Sequence, residues 1–369
     1  MIAIWVTLTL AVLLVVTTGF FLASFLFLRS HDHSYLDAGP SRPRSAPPQT
    51  GPTPSPAHED VLATVARLID SSRGLRGKAR LQAMRSALES LSDGKSFTSR
   101  RRPVNEQGIR GEWVVAPESR PDHRILYIHG GAWVAGSPKS HRAITDKLAR
   151  ISGASVFVLD YRLMPEHRFM QGIEDCRNAY RWILEQGPDG PTAVTFLAVA
   201  GDSAGGSNAL GLLAWARDQR LRQADAGIAL CPSTDLTLTA PSLRTNLRTD
   251  PMLGPALGAL AYIPKPVLWW ATMLGTRTAP TNPVASPLYG DLAGLPPILV
   301  HASEAEMLLD GARRYVAKAQ AAGSPVELQT WPHMVHVWHF FTPELPEAED
   351  AYEKIAAFLH THRKHADAG

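Results

Sequence analysis

Short apolar strands that alternate with helices predict an α/β fold on a mainly parallel, doubly wound sheet. Three observations carry that prediction. β-Branched and apolar runs recur at Ile109 to Val115, Arg124 to Ile128, Ser155 to Leu159, Val194 to Val199, Ile228 to Cys231, Ile298 to His301 and Val326 to Thr330. Helical patterns lie between and after them, at Arg142 to Arg150, Gln171 to Gln186, Asn208 to Arg217, Asp310 to Ala321 and Glu347 to His360. The third is a serine between two glycines at a strand-to-helix joint, Gly201-Asp202-Ser203-Ala204-Gly205.

Length and composition set the bounds. The 369 residues are 45% hydrophobic and 19% charged, enough for one large α/β domain with appendages. A net charge of +3 does not point to a nucleic-acid partner. Cys176 and Cys231 sit in no C-x-x-C pattern, which leaves zinc and redox-motif readings without support. Two free thiols and one disulfide are both open.

Residues 1–29 read as a transmembrane signal-anchor. Ile2 to Leu28 carries no charged side chain and is long enough to cross a bilayer. A cleaved signal peptide would have an apolar core of about 7–15 residues behind a basic stretch. Arg29, Arg42 and Arg44 follow the span and no Lys or Arg precedes it, which places the main domain on the cytoplasmic side. Residues 30–57 hold a proline-rich linker, read as a semi-rigid spacer that keeps the domain off the membrane.

Residues 58–105 read as cap helices. Leu81, Met84, Leu88 and Leu91 mark one apolar face, and Gly74 and Gly77 divide the stretch in two. Arg100-Arg101-Arg102 reads as a solvated loop or as a patch for anionic lipid. The main α/β domain spans 106–369. Its alternation breaks over 236–295, a proline-rich insertion with Trp269-Trp270 that reads as a cap or lid over the sheet edge. Its tryptophans and Trp338 are candidates for either the pocket or the core.

The glycine-flanked serine fits a nucleophile elbow: a turn so sharp that strand and helix approach closely and Oγ projects beyond the sheet. The Ala204 N–H then faces the position of a developing oxyanion. After the strand ending at Ile128 comes His129-Gly130-Gly131-Ala132-Trp133, whose glycines allow further amides to converge there. Gly130, Gly131 and Ala204 are the expected donors. His129 is expected to brace this loop, since acid and base follow the serine in chain order.

These stretches resemble the hormone-sensitive-lipase-like family of α/β-hydrolases. Tyr161-Arg162-Leu163-Met164-Pro165-Glu166-His167 and Cys231-Pro232-Ser233-Thr234-Asp235-Leu236 add to the resemblance, which covers roughly residues 58 to 360. It implies an eight-stranded sheet with helices on both faces, a helical cap, and carboxylester hydrolysis without cofactor or metal. It maps the base onto His336, within His333-Met334-Val335-His336-Val337-Trp338, although the family usually has glycine at the place of His333. It maps the acid onto Glu306 and a structural acid onto Asp310, with Glu304 and Asp310 as lesser candidates for the triad acid. A zinc site made by His333, His336 and His339 is the rival reading. Asp202 and Glu166 are expected to hold loops through buried polar contacts. The resemblance implies a short- to medium-chain acyl ester as substrate. An amidase or deacetylase with the same triad, and a non-catalytic small-molecule binder on the same fold, are the alternatives. Nothing in the pattern encodes the oligomeric state.

Overall fold

Residues 2–28, 33–37 and 53–368 are described in the structure, a computed structural model. Within them eight strands form one sheet: β1 (Arg100–Glu106), β2 (Ile109–Val115), β3 (Arg120–Ile128), β4 (Ala154–Leu159), β5 (Phe196–Asp202), β6 (Ala226–Leu230), β7 (Ile298–Ser303) and β8 (Val326–Trp331). Their spatial order is β1-β2-β4-β3-β5-β6-β7-β8. β2 is antiparallel to both of its neighbours, and every pairing from β4 to β8 is parallel. The strands from β4 to β7 are buried at almost every position, as expected of a parallel sheet covered on both faces.

Crossover helices provide that cover. α4 (Arg142–Ser152) and α11 (Pro346–Ala368) contact each other and pack with Val156, Tyr127 and Ile228 in one apolar cluster. α5 (Phe169–Ile183), α6 (Ser203–Asp218) and α10 (Leu309–Ala321) bury their apolar stripes with Leu126, Val199 and Val300 in the other. Alternate residues of one strand feed the two clusters because side chains alternate across a sheet.

Several sequence expectations change here. α6 begins at Ser203 itself, with no loop between it and β5. Arg100 to Arg102 is no loop but the start of edge strand β1, so the sheet begins at Arg100 rather than at residue 106. Arg100 pairs with Asp189, and Arg101 lies 3.9 Å from Glu112. α2 (Ala57–Asp70) and α3 (Gly77–Ser90) form as two helices, with the turn at Gly74 and Gly77 in positive-φ conformations. α2 sends Val61 and Val65 into the core instead of over the catalytic face.

The insertion carries α7 (Ser242–Thr245), α8 (Leu253–Leu257), a 3-10 turn (Gly258–Tyr262) and α9 (Lys265–Thr276). α1 (Ile2–Phe27) is long and apolar enough to cross a membrane, by length and composition. Its last turns pack directly on α9: Trp270 Nε1 donates to Ser24 Oγ at 2.8 Å, and Phe25 meets Trp269 edge-on at 6.1 Å. The next described segment, 33–37, is clasped to the domain as well. Arg314 Nε donates to Asp37 Oδ1 at 2.9 Å, and His33 lies 4.8 Å from the Tyr289 ring. Residues 33–37 thus meet the domain ahead of the first linker proline, Pro40, and most of the expected spacer lies outside the described residues. Arg29, Arg42, Arg44 and Pro40 to Pro52 lie outside the described residues.

Candidate active site

Sheet register builds the site. Ile128 pairs with Gly201, so the segments that leave β3 and β5 emerge side by side at the carboxyl edge. From β5 the chain turns straight into α6 with Ser203 at φ +52°, a left-handed conformation that costs a non-glycine residue about 1–2 kcal/mol. The turn is possible because its neighbours lack Cβ atoms. A Cβ on Gly201 would lie 2.4 Å from the Gly205 carbonyl oxygen, and one on Gly205 would lie 2.0 Å from that of Ile128.

Ser203 Oγ lies 2.9 Å from His336 Nε2. His336 Nδ1 lies 2.6 Å from Glu306 Oε2, and the other carboxylate oxygen accepts the Ser303 amide at 2.8 Å. Both side chains are buried. Burial opposes a charge on the His336 ring, but the hydrogen bond and charge of Glu306, with Asp250 and Asp202 further off, raise its pKa above the ordinary value.

The remaining acids and histidines separate by contact. Glu304 accepts from Thr330 Oγ1, and Asp310 accepts the Ser242 amide and pairs with Arg313. Neither accompanies His336. His339 pairs with His301 at 3.1 Å, and His333 belongs to no three-ligand group among the described residues. The three evenly spaced histidines thus point to different surroundings. Cys176 and Cys231 are separate buried thiols. Cys231 Sγ accepts the Val337 amide at 3.4 Å and belongs to a close group with Glu306 and His336. Burial, with Glu306 beside it, raises the thiol pKa.

Behind the serine, the Asp202 carboxylate accepts from Tyr127 Oη at 2.6 Å and from the Gly130 amide at 3.0 Å, and lies 3.3 Å from His141 Nε2. Burial opposes its ionisation, yet His141 and these donors hold its pKa below the ordinary value. The Gly130 contact corrects the expected oxyanion set. That N–H is committed to Asp202, so it does not face the site, and a Cβ there would lie 2.2 Å from Asp202 Oδ2. The amides of Gly131, Ala132 and Ala204 meet no acceptor among the described residues. Ala132 takes φ +54°, which turns the loop at the residue after Gly131.

His129 braces the loop. Its ring stacks on Tyr161 at 4.4 Å, and Tyr161 Oη donates to the His129 carbonyl. Burial lowers its pKa to about 3, so the ring is neutral. Glu166 binds Arg85 of α3 through both oxygens, at 2.8 and 2.7 Å, at the surface rather than buried as expected, because the loop that carries it faces solvent beside α3.

Sequence reasoning missed Asn246 and Asp250, from the insertion. Asn246 Nδ2 donates to the Glu304 and Glu306 carbonyls, and Asp250 Oδ2 accepts the Met307 amide. Together they pin the loop that carries Glu306. They lie in no motif, and within the polar run Ser242-Leu243-Arg244-Thr245-Asn246-Leu247-Arg248-Thr249-Asp250 nothing local marks them out.

A cavity of about 320 Å³ opens at Ser203 and Ala204, walled by Trp133, Leu236, Leu260 and Thr272. Trp269, Trp270 and Trp338 are not in its lining. Trp269 donates to the Thr237 carbonyl, Trp270 to Ser24, and Trp338 packs in the core.

Comparison with known proteins agrees with this geometry. The alpha/beta hydrolase fold family matches residues 125–340. An esterase of the bacterial hormone-sensitive lipase family superposes with a TM-score of 0.73 at 33% identity, over 84% of this chain and 99% of that one. The chain belongs to the hormone-sensitive-lipase-like α/β-hydrolases. This hydrolase is also 39% identical over 250 residues to an acetyl-hydrolase of Streptomyces hygroscopicus, covering 68% of this chain and 79% of that protein. It is 35% identical over 257 residues to an esterase of Acinetobacter venetianus, covering 70% and 80%. It is a serine ester hydrolase of that family.

Proposed function

We propose that this hydrolase is a membrane-anchored carboxylesterase that cleaves short- to medium-chain acyl esters through Ser203, His336 and Glu306. The single observation that carries the reading is the hydrogen-bonded chain from Ser203 Oγ through the imidazole to Glu306, at 2.9 and 2.6 Å. His336 Nε2 takes the serine proton as Oγ attacks the acyl carbon. Glu306 holds the ring in the tautomer that leaves Nε2 free to accept, and stabilises the imidazolium. The Gly131, Ala132 and Ala204 amides receive the oxyanion, each loss costing about 10²–10³ in rate. The imidazolium then protonates the leaving alcohol. Water attacks the acyl-enzyme with His336 again as base, which restores Ser203. The Asp202 cluster orients the loop and takes no proton.

A small apolar cavity supports a short or medium acyl group, since about 300 Å³ is the lower end for ligand pockets. The acetyl-hydrolase relative points the same way. An anchor is supported by the 26-residue length of α1 and by its docking on α9, because a cleaved leader has no reason to pack on the mature domain. The three arginines that follow α1 support a cytoplasmic domain.

Turnover of 4-nitrophenyl esters from acetyl to palmitoyl by the detergent-purified full chain, with Ser203→Ala beside it, tests the reading. An optimum at short or medium chain that vanishes in the variant is expected. Absence of turnover across the series from folded protein would overturn it.

A further inference from the structure

The surface of the cap beside α1 is apolar, uncovered and continuous with the helix that would cross the membrane. From Pro251 to Thr276 the only charged residue is Lys265. Val267, Trp270, Ala271 and Leu274 recur at i, i+3, i+4 and i+7 and so share one face of α9. α1 covers this face at Trp270, through Ser24 and the Phe20 ring 6.2 Å away. Beyond that seam Val267 is 44% and Leu274 74% exposed, and Tyr262 before α9 is 79% exposed. Leaving such side chains in water forgoes about 1.5–3 kcal/mol each relative to burial.

Length sets the depth at which this face lies. The 26 residues of α1 span about 39 Å at about 1.5 Å per residue, against about 30 Å of hydrocarbon. About six residues therefore stand in the interfacial layer. The end that includes Ser24 and Phe25 is the one that contacts α9, so α9 sits at headgroup depth with its free apolar stripe beside the lipid. The same helix has a second role. Ala271, Thr272 and Gly275 line the cavity at Ser203. One helix is thus both the wall of the acyl cavity and the neighbour of the bilayer.

We propose that the α8–α9 cap rests on the bilayer that holds α1, its Tyr262, Val267 and Leu274 side chains entering the lipid, and that the cavity draws acyl esters dissolved in the membrane. The occupant of the apolar face is the lipid surface itself. Arg277, at the end of α9, is placed to meet headgroup phosphates. This inference rests on the anchored ester hydrolase proposed above and names its substrate class. Membrane-dissolved esters reach Ser203 through a wall one helix thick, without crossing water.

The test uses the full chain in phosphatidylcholine nanodiscs. Tyr262→Cys, Leu274→Cys and Asp189→Cys are each labelled with an environment-sensitive fluorophore, Cys176 and Cys231 being buried. Asp189 is an exposed control near the amino ends of the strands, next to Arg100. Doxyl-labelled lipids are expected to quench the two cap labels and not the control. A second arm compares Tyr262→Glu/Val267→Glu/Leu274→Glu with the unaltered protein. Turnover of 4-nitrophenyl decanoate, a medium-chain ester that partitions into the bilayer, is expected to fall at least about tenfold, while that of 4-nitrophenyl acetate in water holds. Cap labels untouched by doxyl lipid while a label at Leu14 is quenched would overturn the inference, whether water or a second copy surrounds them. So would an unchanged decanoate rate in the triple variant. Loss of acetate turnover in the unaltered protein would instead overturn the ester-hydrolase mechanism, and the quenching arm would still decide the position of the cap.

Discussion

Ser203, His336 and Glu306 lie where neighbouring backbone and side chains occupy almost every position, whereas the cap surface of α8 and α9 presents apolar side chains that none of the described residues covers. At the elbow, the absence of Cβ atoms decides the geometry: the atoms around Gly201 and Gly205 leave no room for a methyl group. At the cap, Tyr262 and Leu274 have open space around them. The difference teaches that the catalytic centre is defined by the chain's own packing, and the cap by its surroundings. Changes at the first should alter chemistry in any medium. Changes at the second should show only where a membrane is present.

The largest expected effect is at the nucleophile. Ser203→Ala should lower kcat for a soluble ester by about five to six orders of magnitude, read by 4-nitrophenyl acetate turnover. A residual rate within tenfold of the original would assign the chemistry elsewhere. Glu306→Gln keeps the shape but removes the charge, and should cost about 10³–10⁴ in kcat. The same variant sharpens the pH dependence. The base works neutral and its pKa is raised, so activity should rise with pH through a midpoint above the ordinary imidazole value of about 6.5. Without the Glu306 charge that raises the pKa, the acid limb should move to lower pH, as a kcat/KM profile would record.

Smaller effects separate positioning from chemistry. Asp250→Ala frees the Met307 amide beside the acid and should lower kcat about tenfold with little change in KM. Asp202→Ala strands the Tyr127, Gly130 and His141 partners in a buried site. It should lower stability by about 2–4 kcal/mol, read from the denaturant midpoint. The smallest effect belongs to the other region. Tyr262→Glu with Leu274→Glu should change detergent-phase stability by no more than about 0.5 kcal/mol per site, because both side chains are exposed. A large loss there would mean that the cap is held by the chain's own core, and the contrast between the two regions would fall.

Most of the fold, and the residues of the proposed triad, are legible in the sequence. Buried parallel strands are unbroken apolar runs, and an elbow needs small residues at fixed offsets, so both write themselves into local sequence. Glu306 was readable as the acid only through resemblance, since Glu304 and Asp310 stand in the same short segment. Contact separates them: Glu306 alone reaches His336.

What local sequence determined is therefore what a few adjacent residues enforce through backbone geometry and periodicity: the strands, the helices, the turn at Ser203 and the apolar span of α1. Tertiary structure decided what depends on residues far apart. It committed the Gly130 amide to Asp202, 72 positions on, which shifts the open donors to Gly131 and Ala132. It turned the triple arginine into an edge strand because β2 was there to pair with it. It brought Asn246 and Asp250 onto the acid loop and seated Ser24 against Trp270 across 246 positions. Each of these is a hydrogen bond whose partner is chosen by folding, and no local pattern encodes a partner that only the packed chain brings within 3 Å.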